Sequence, residues 1–574
     1  MEISWSCYLI SDLRPRWPSG KISTLGPEGS GLEIRFHRRS AAYGTCCTLN
    51  HTQWPNVLPK QLSCCFRTGH EEEEEKPVLL NAPPLYVICL VRALDFLKTT
   101  EWKTSGKNLL SILTNQVVHD LWSSAFRLPK TRGQLEYSVK ESYQLVAQGG
   151  LQHLDMREKE RDEQDLVLSM LTADACKDLR TILCQGLHFF TNNDAIDAVV
   201  RLSPNLEELH YPEFVSLDAF ENCKKIRILK FHRLNEGGSA YFHNEDAQFP
   251  ESLKNLEIFG FCSLYQSSIY VPNITSRILE NCPKVVSVGC TDSSGALELI
   301  RQKDVDSLRH FQLRRCYWAK DYHQNPENDS SPLHEIGQFS VIQTAVRMCP
   351  FVEELIIKVS DPSCLSHLKE LQNLSVLHVG FDEKSDENIL ELISLLKIIG
   401  PQLKHLRIED KGEIPVDGIL EYCSKLQSLH IQGTMIVPES FKTSVGDIHL
   451  ERLNATKTDE SSLLTLLSKC RYLTELVLEM VPWLNDDLLL KIIKENRFSK
   501  LEVFMIFRHD FSNTSYELLL ENMIHLQNIG VPSHLEYRVR CLARDMGFRA
   551  KVHKYFEYVG YQDFFSKLFD KCRF

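Results

Sequence analysis

The sequence has no long hydrophobic run, because no apolar stretch approaches the roughly 20 residues that cross a bilayer. Its first residues, Met1 to Trp5, have neither the basic flank nor the apolar core of a signal peptide. Clusters of positive charge are also missing: Lys and Arg are scattered, and the net charge is −11. These absences predict an intracellular protein, cytoplasmic or nuclear, with no nucleic-acid partner and no membrane partner.

The sequence also lacks the signatures of common enzymes. It contains no phosphate-binding Gly-x-x-x-x-Gly-Lys loop, no Gly-x-Ser-x-Gly elbow and no His-Glu-x-x-His helix. Two cysteine doublets, Cys46-Cys47 and Cys64-Cys65, lack the two-residue gap that lets a loop surround a zinc ion. We therefore expect no catalytic residue, no metal site and no cofactor.

Cysteine, in contrast, is plentiful. The chain has 19 cysteines, an odd number, and many of them recur at one position of a repeated pattern. Reduced, buried thiols that act as small apolar side chains explain this recurrence better than disulfides do.

The repeated pattern is Leu-x-x-Leu-x-Leu or a close apolar equivalent. It is clear at Leu403 to Ile408, Leu426 to Ile431 and Leu473 to Leu478. Further copies begin at Leu206, Leu253, Val285, Leu308, Val352, Leu374, Leu450, Leu501 and Leu526, with weaker ones at Leu179 and Ile226. Most neighbouring copies lie about 20 to 30 residues apart, which is the period of leucine-rich repeats.

Each copy predicts a short strand, because its second and third apolar residues alternate and so point into one core. Between copies, Asp386 to Ile399 and Ser461 to Cys470 carry apolar residues three and four apart, as amphipathic helices do. Strand and helix together predict an α/β leucine-rich-repeat solenoid with strands inside and helices outside. Cysteine at the helix ends, as in Cys282-Pro283, resembles the cysteine-containing repeats of F-box and related ubiquitin-ligase receptors.

The pattern divides the chain into five parts. Residues 1–80 contain many Pro and Gly residues and are predicted to be disordered; 14–57 resemble repetitive-element sequence, so this segment need not belong to the functional protein. Residues 81–133 are predicted to form a helical adaptor-binding region and 134–174 a helical bridge. The repeats are expected to span 175–532, and an aromatic-rich tail, 533–574, is expected to cap the solenoid.

The segment from Pro84 places Leu85, Cys89 and Ala93 on one face of a predicted helix, four residues apart. This spacing resembles the box by which ubiquitin-ligase substrate receptors bind elongin C. The resemblance implies that these three residues contact elongin C. On the pattern alone, a helix that merely caps the first repeat fits equally well.

A second segment, residues 113–121, resembles the cullin box that follows the elongin box in such receptors. Leu113, Val117 and Leu121 occupy its apolar positions, although Thr114 stands where Pro is expected. The same nonapeptide also resembles the opening of an F-box, an alternative that leaves the Leu85 helix unexplained. The order of box and repeats is most similar to the zygote-defective type of elongin–cullin receptor.

A solenoid offers a concave face whose strand side chains vary without disturbing the core. The candidate positions for binding a protein substrate flank the inward residues of the strands; they are Glu208, His210, Lys230, His405, Arg407, Ser428, His430, Glu475 and Val477. The resemblance implies a non-catalytic substrate receptor of a cullin-RING ubiquitin ligase, whose partners are elongin C and a cullin, or an F-box adaptor, and a target protein. The alternative is a leucine-rich-repeat interaction scaffold without a ubiquitin role.

Overall fold

The computed structural model describes residues 31–33, 48–50 and 151–554, with gaps at 158–160, 185–193, 214, 234–248, 262–269, 289–292, 304–308, 320–335, 439, 442–447, 497 and 549. The predicted adaptor-binding residues, which are Leu85, Cys89, Ala93, Leu113, Val117 and Leu121, lie outside the described residues, and so does the segment 555–574. Two short strands, β1 (Gly31–Glu33) and β2 (Thr48–Asn50), pair antiparallel within the range for which the sequence predicts disorder.

The described residues from 151 onward form one sheet in which every neighbouring pair of strands is parallel and strands follow one another in chain order. Its strands are β3 (His153–Asp155), β4 (Thr181–Leu183), β5 (Glu208–Glu213), β6 (Ile228–Arg233), β7 (Ile258–Phe261), β8 (Ser287–Val288), β9 (Arg315–Ala319), β10 (Glu354–Val359), β11 (Val376–Phe381), β12 (His405–Pro415), β13 (Ser428–Ile436), β14 (Arg452–Thr458), β15 (Glu475–Met480), β16 (Val503–Ile506), β17 (Asn528–Val531) and β18 (Lys551–Lys554).

Helices join these strands. The α-helices are α1 (Arg161–Met170), α2 (Ala173–Cys176), α3 (Asp194–Arg201), α4 (Tyr270–Asn281), α5 (Ser293–Lys303), α6 (Gln338–Met348), α7 (Asp386–Ile399), α8 (Val416–Tyr422), α9 (Glu460–Leu467), α10 (Asp486–Glu495), α11 (Asn513–Asn522) and α12 (Glu536–Asp545). Short 3₁₀ helices take their place at Leu217–Phe220, Glu251–Asn255 and Pro362–Glu370, and another, Gly400–Gln402, follows α7.

Alternation within the strands decides which side chains enter the core. In β12, Leu406 and Ile408 are fully buried in the main core, whereas His405, Arg407 and Glu409 are only partly buried. Helix residues such as Leu392 of α7 pack into the same core. Helices, about 10 Å across, need more room than strands about 4.8 Å apart, so the helix face is convex and the other face concave. The fold is a leucine-rich-repeat solenoid.

At the start of each strand from β4 to β17, two successive backbone N–H groups donate to one carbonyl, which belongs to the residue just before the preceding strand. The Lys404 carbonyl accepts the N–H groups of Gln427 at 2.8 Å and Ser428 at 3.1 Å, and the Gln427 carbonyl accepts those of Glu451 at 2.8 Å and Arg452 at 3.0 Å. The same pair of bonds recurs from the carbonyl of residue 152 to that of residue 502. It satisfies the backbone where one repeat meets the next and holds the strands in register.

Cysteine ends several helices, as the sequence predicts. The Cys423 N–H donates to the Ile419 carbonyl at 2.9 Å, and the Cys423 carbonyl accepts the Leu426 N–H at 3.0 Å. Burial raises the pKa of Cys423 to about 12, so its sulfur is a thiol that fills space. Every described cysteine except Cys541 is buried, and no disulfide joins any two of the described cysteines.

Two predicted copies of the repeat are out of register. Leu253 lies in a 3₁₀ helix, and the anchor before β7 is Leu256; the anchor before β9 is Leu313, whereas Leu308 lies outside the described residues. The sequence pattern selected the wrong residue because insertions and 3₁₀ turns bring several apolar residues before the strand, and residue type alone does not show which of them is the anchor. The sheet also begins earlier than residue 175, because β3 carries the buried motif Leu151-x-x-Leu154-x-Met156, and it ends later, at β18. These strands lie in the ranges that the sequence assigns to the helical bridge and the cap.

Strands β12 to β14 are longer than the others and contain irregularities. After Glu409 the register of β12 against β13 shifts, and pairing resumes from Glu413 to Pro415 with Thr434 to Ile436. The register of β13 against β14 shifts too, after Ile431, and hydrogen bonds bridge this second irregularity: the Gly433 N–H donates to Thr456 Oγ1 at 3.0 Å, and Thr456 Oγ1 donates to the Ile431 carbonyl at 2.9 Å. The extension widens the concave face at the middle of the solenoid.

Candidate functional site

Strand register arranges the concave side chains of β11 to β15 in three rows. The first row is His405, Ser428, Arg452 and Glu475; the second is His378, Arg407, His430, Asn454 and Val477; the third is Gly380, Glu409 and Gln432. Members of a row come from strands about 4.8 Å apart. Side chains that are a whole repeat apart in sequence are therefore close enough to contact.

Arg407 lies at the centre of these rows. Its Nε donates to Glu409 Oε1 at 2.8 Å, its Nη2 lies 2.7 Å from the same oxygen, and Nη2 also donates to Gln432 Oε1 at 3.2 Å. His378 Nε2 lies 2.9 Å from Glu409 Oε1. We call His378, Arg407, Glu409 and Gln432 the central cluster. Its side chains come from three successive strands and fix one another's positions.

The carboxylate of the central cluster is held ionised. Burial alone would raise the pKa of Glu409, but the hydrogen bond from His378 and the positive charge of Arg407 lower this pKa to about 2. Arg407 pairs with the charge of Glu409, and the donors and acceptors of the cluster are held in fixed positions.

Three neighbours of this cluster are less exposed than the sequence suggests. His405 is half-buried, and burial, reinforced by the charges of Arg452 and Lys404, lowers its pKa to about 4. Ser428 and His430 face the concave side, yet their exposed fractions are only 1% and 5%. His405 is therefore neutral at physiological pH, and these three residues line the floor of the groove.

The other predicted site residues lie in a different part of the sheet. On β5, His210 Nε2 is 2.8 Å from Glu208 Oε1, and His210 aligns with Lys230 on β6. Lys230 is buried, with 4% of its surface exposed. Six strand spacings, about 30 Å of sheet, separate β6 from β12. The predicted residues thus form two groups on one face and not a single site.

Sequence reasoning missed most of the central cluster. It selected Arg407 but not Glu409, which lies two residues later on the same face, nor His378, which occupies the Arg407 position one repeat earlier. It also missed ion pairs between neighbouring strands, such as Arg315 Nε to Glu354 Oε2 at 2.8 Å. Extending the alternation by one step along each strand would have found Glu409 and Gln432.

Several of the described cysteines are buried within the repeats. Burial raises the pKa of Cys282 and of Cys470 to about 12, and a thiol of that pKa is a poor nucleophile. No three His, Cys, Asp or Glu side chains among the described residues are placed to hold a metal ion. Nor is any helix in the described part of the chain long and apolar enough to cross a membrane.

Known protein-family models do not match the chain, and no curated protein matches its sequence. Among solved structures, a yeast complex of Rad7 and Elc1 is similar with a TM-score of 0.29 and 13% sequence identity, and the match covers 79% of this chain and 94% of that chain. A leucine-rich-repeat protein of Leptospira interrogans is similar with a TM-score of 0.24 and 13% identity, covering 70% of this chain and 93% of that one. The repeat fold itself is evident from the chain's own parallel sheet.

Proposed function

We propose that this chain is a non-catalytic substrate receptor of a cullin-RING ubiquitin ligase. The observation that carries the proposal is the order of parts along the chain: a segment with the elongin-box residues Leu85, Cys89 and Ala93 stands before a long leucine-rich-repeat sheet. Residues 81–133 would bind the adaptor, and the repeats would bind the target. Such a receptor acts by raising the effective concentration of the target near the transferring enzyme.

The target-binding half of this proposal rests on the concave face. The central cluster offers the guanidinium of Arg407 and the amide of Gln432 in fixed positions, beside half-buried His405. Preorganised polar groups lose little side-chain entropy on binding, which favours recognition of a folded protein surface. We therefore propose that the substrate contacts the β11–β14 region in preference to the Glu208–His210 region.

The adaptor-binding half rests on the predicted helix that starts near Pro84. The resemblance of Leu113, Val117 and Leu121 to a cullin box supports elongin C with a cullin. The same three residues would serve an F-box adaptor if the Leu85 helix had another role. Measuring binding to each purified adaptor distinguishes an elongin C receptor from an F-box receptor.

The test measures binding of the full chain to elongin B/C, and separately to the F-box adaptor, by isothermal titration calorimetry. Leu85→Ala combined with Cys89→Ala should weaken elongin binding by about 2 kcal/mol or more, because a buried anchor side chain is lost from its pocket. The control replaces Arg92 and Asp95, polar residues of the same predicted helix, with Ala and should bind like the parent.

Thermal unfolding of both double variants accompanies the titration. A receptor loses its adaptor and keeps its unfolding temperature. If the parent binds neither adaptor, or if Leu85→Ala with Cys89→Ala unfolds the repeats, the segment is a structural cap, and the protein is a repeat scaffold without a ligase role.

A further inference from the structure

Arg407 determines which atom of Gln432 stays open. A guanidinium group has donors and no acceptor, so the Gln432 atom that lies 3.2 Å from Arg407 Nη2 must be the carbonyl oxygen Oε1. The nitrogen Nε2 is therefore on the other side of the amide group. Gln432 is an exposed residue of β13, and within the described part of the chain no hydrogen bond uses its Nε2. The central cluster thus leaves one donor open to the groove.

The same cluster leaves one acceptor open. Three nitrogen atoms approach Glu409 Oε1: His378 Nε2 at 2.9 Å, and Arg407 Nε and Nη2 at 2.8 and 2.7 Å. The described residues make no such contact with the other carboxylate oxygen, Oε2. That oxygen is not buried, and 27% of the Glu409 side chain is exposed. An ionised oxygen of this kind is a strong acceptor for a group of the target.

Gly380 keeps space beside this acceptor. It is the Cα partner of Glu409 on β11, and a Cβ at this position would lie 3.4 Å from Glu409 Oε2. A side chain here would contact the oxygen from that side, whereas glycine leaves it clear. Lys358 Cγ lies 3.9 Å from the same point, so the stem of Lys358 flanks the space from β10. Glu409 thus has two basic neighbours, Arg407 and Lys358.

Charge decides which groups of a target fit here. A carboxylate or phosphate of the target would face ionised Glu409, and a lysine or arginine would face Arg407 and Lys358. Like charges placed together cost free energy, so an uncharged group with one donor and one acceptor fits better than either. Each residue of an extended segment directs its N–H and C=O to the same side. Because Glu409 and Gln432 are aligned on neighbouring strands, about 4.8 Å apart, both can reach one such residue.

We propose that Glu409 and Gln432 bind the main chain of an extended segment on the target protein. Glu409 Oε2 accepts the N–H of one residue of the segment, and Gln432 Nε2 donates to the C=O of the same residue. His378 and Arg407 are positioning residues, because they hold the two side chains without occupying the open atoms. This inference rests on the proposed function and adds to it the feature of the target that the concave face binds.

The first test uses Gln432→Glu, which keeps an oxygen for Arg407 and replaces the open donor with a second oxygen. Random peptides displayed on phage are selected on the full-length parent, and the affinity of the selected peptides is measured for both proteins. Gln432→Glu should bind them at least about tenfold more weakly, because a donor to the C=O has become an acceptor. A selection without binders would overturn the proposal, and so would peptides that bind Gln432→Glu as tightly as the parent.

Gln527→Glu is the matched control. Gln527 is an exposed glutamine just before β17 and lies outside the three rows, so the same change of charge there should leave the affinity for the selected peptides unchanged. The thermal unfolding temperatures of the parent and both variants should agree, because neither glutamine is buried.

A second test leaves the protein unaltered and changes the peptide. In the tightest-binding selected peptide, each main-chain amide is replaced in turn by an ester, which removes one N–H and keeps every side chain. One replacement should weaken binding to the parent about tenfold, because Glu409 Oε2 loses its donor. The same ester should cost less against Gln432→Glu, where the residue is no longer held on both sides. If no ester weakens binding, the main chain is not bound here and the proposal is wrong, whichever side chain of the peptide then proves necessary.

These results are distinguishable from those of the adaptor titration. A protein that binds elongin B/C but selects no such peptides keeps its receptor role and loses this inference. A protein that selects them through Gln432 but binds neither adaptor is a repeat scaffold that binds extended segments.

Discussion

At the scale of single residues, His509 shows how the solenoid constrains a titratable group. The Phe511 N–H donates to His509 Nδ1 at 3.1 Å, so the proton of the neutral ring lies on Nε2, which is 3.1 Å from the hydroxyl of buried Tyr516. Burial, with the charge of His534 second, lowers the pKa of His509 to about 4. Protonation of Nδ1 would break the bond from Phe511.

This arrangement predicts a loss of stability on acidification. Between an unfolded pKa of about 6.5 and the folded pKa of about 4, the unfolded chain binds a proton that the folded chain does not. The free energy of unfolding should therefore fall by about 2 kcal/mol between pH 7 and pH 5 on account of this group. His509→Asn keeps an acceptor for the Phe511 N–H and does not titrate. Between pH 7 and pH 5 the free energy of unfolding of this variant should therefore fall by about 2 kcal/mol less than that of the parent.

Urea unfolding of the parent and of His509→Asn at pH 7 and pH 5 measures the difference. All other titrating groups are common to both proteins, and subtraction removes them. Equal losses in the two proteins would show that His509 takes up its proton in the folded state as readily as in the unfolded one.

At the scale of elements, the long strands β12 to β14 depend on a close approach between backbones. A Cβ on Gly433 would lie 2.4 Å from the Asp410 carbonyl oxygen and 2.9 Å from Ile414 Cδ1. The Asp410 oxygen belongs to the backbone and cannot turn aside, so a side chain at residue 433 must push the two strands apart. Gly433 is therefore required at the register shift that lengthens the concave face.

Gly433→Ala should lower the free energy of unfolding by about 2 kcal/mol or more, in the range of overpacked interiors. Gly418→Ala in helix α8 is the matched control, since its nearest neighbour is Ile393 Cδ1 at 3.4 Å. Alanine is the better helix former, so that variant should gain about 0.5–1 kcal/mol. Thermal and urea unfolding report both changes, and a Gly433→Ala protein as stable as the parent would contradict the close approach.

Elements also show what could be predicted from the sequence. The alternation of Leu403, Leu406 and Ile408 specifies a strand and its buried face, and helix α7 agrees with the prediction from its apolar spacing. The anchors at Leu256 and Leu313 were missed because local spacing does not tell equivalent apolar residues apart. Contacts such as His378 to Glu409 were missed because they depend on register between strands, which only the folded sheet determines.

The burial of Ser428 and His430 was missed for a related reason. Strand alternation assigns both residues to the concave face, and the structure agrees. How deeply they lie depends on the neighbouring strands, whose side chains stand on either side. A face can be predicted from one strand, whereas exposure is a property of the assembled groove.

At the scale of the whole molecule, position along the solenoid should decide how far a defect spreads. Each repeat contacts only its neighbours, so stability is roughly a sum of repeat and interface contributions. Leu406 on β12 is fully buried between Leu377 and Leu429 of the adjacent strands, whereas β18, which carries Val552, has a described neighbour on one side only.

Leu406→Ala should lower the free energy of unfolding by about 3 kcal/mol and speed amide hydrogen exchange in repeats on both sides of β12. Val552→Ala should speed exchange only in residues 528–554, since opening the end breaks one interface. Hydrogen-exchange mass spectrometry of the two variants distinguishes these outcomes. If Val552→Ala loosens β12 as much as it loosens β17, the solenoid unfolds as one cooperative unit and the nearest-neighbour description fails for this protein.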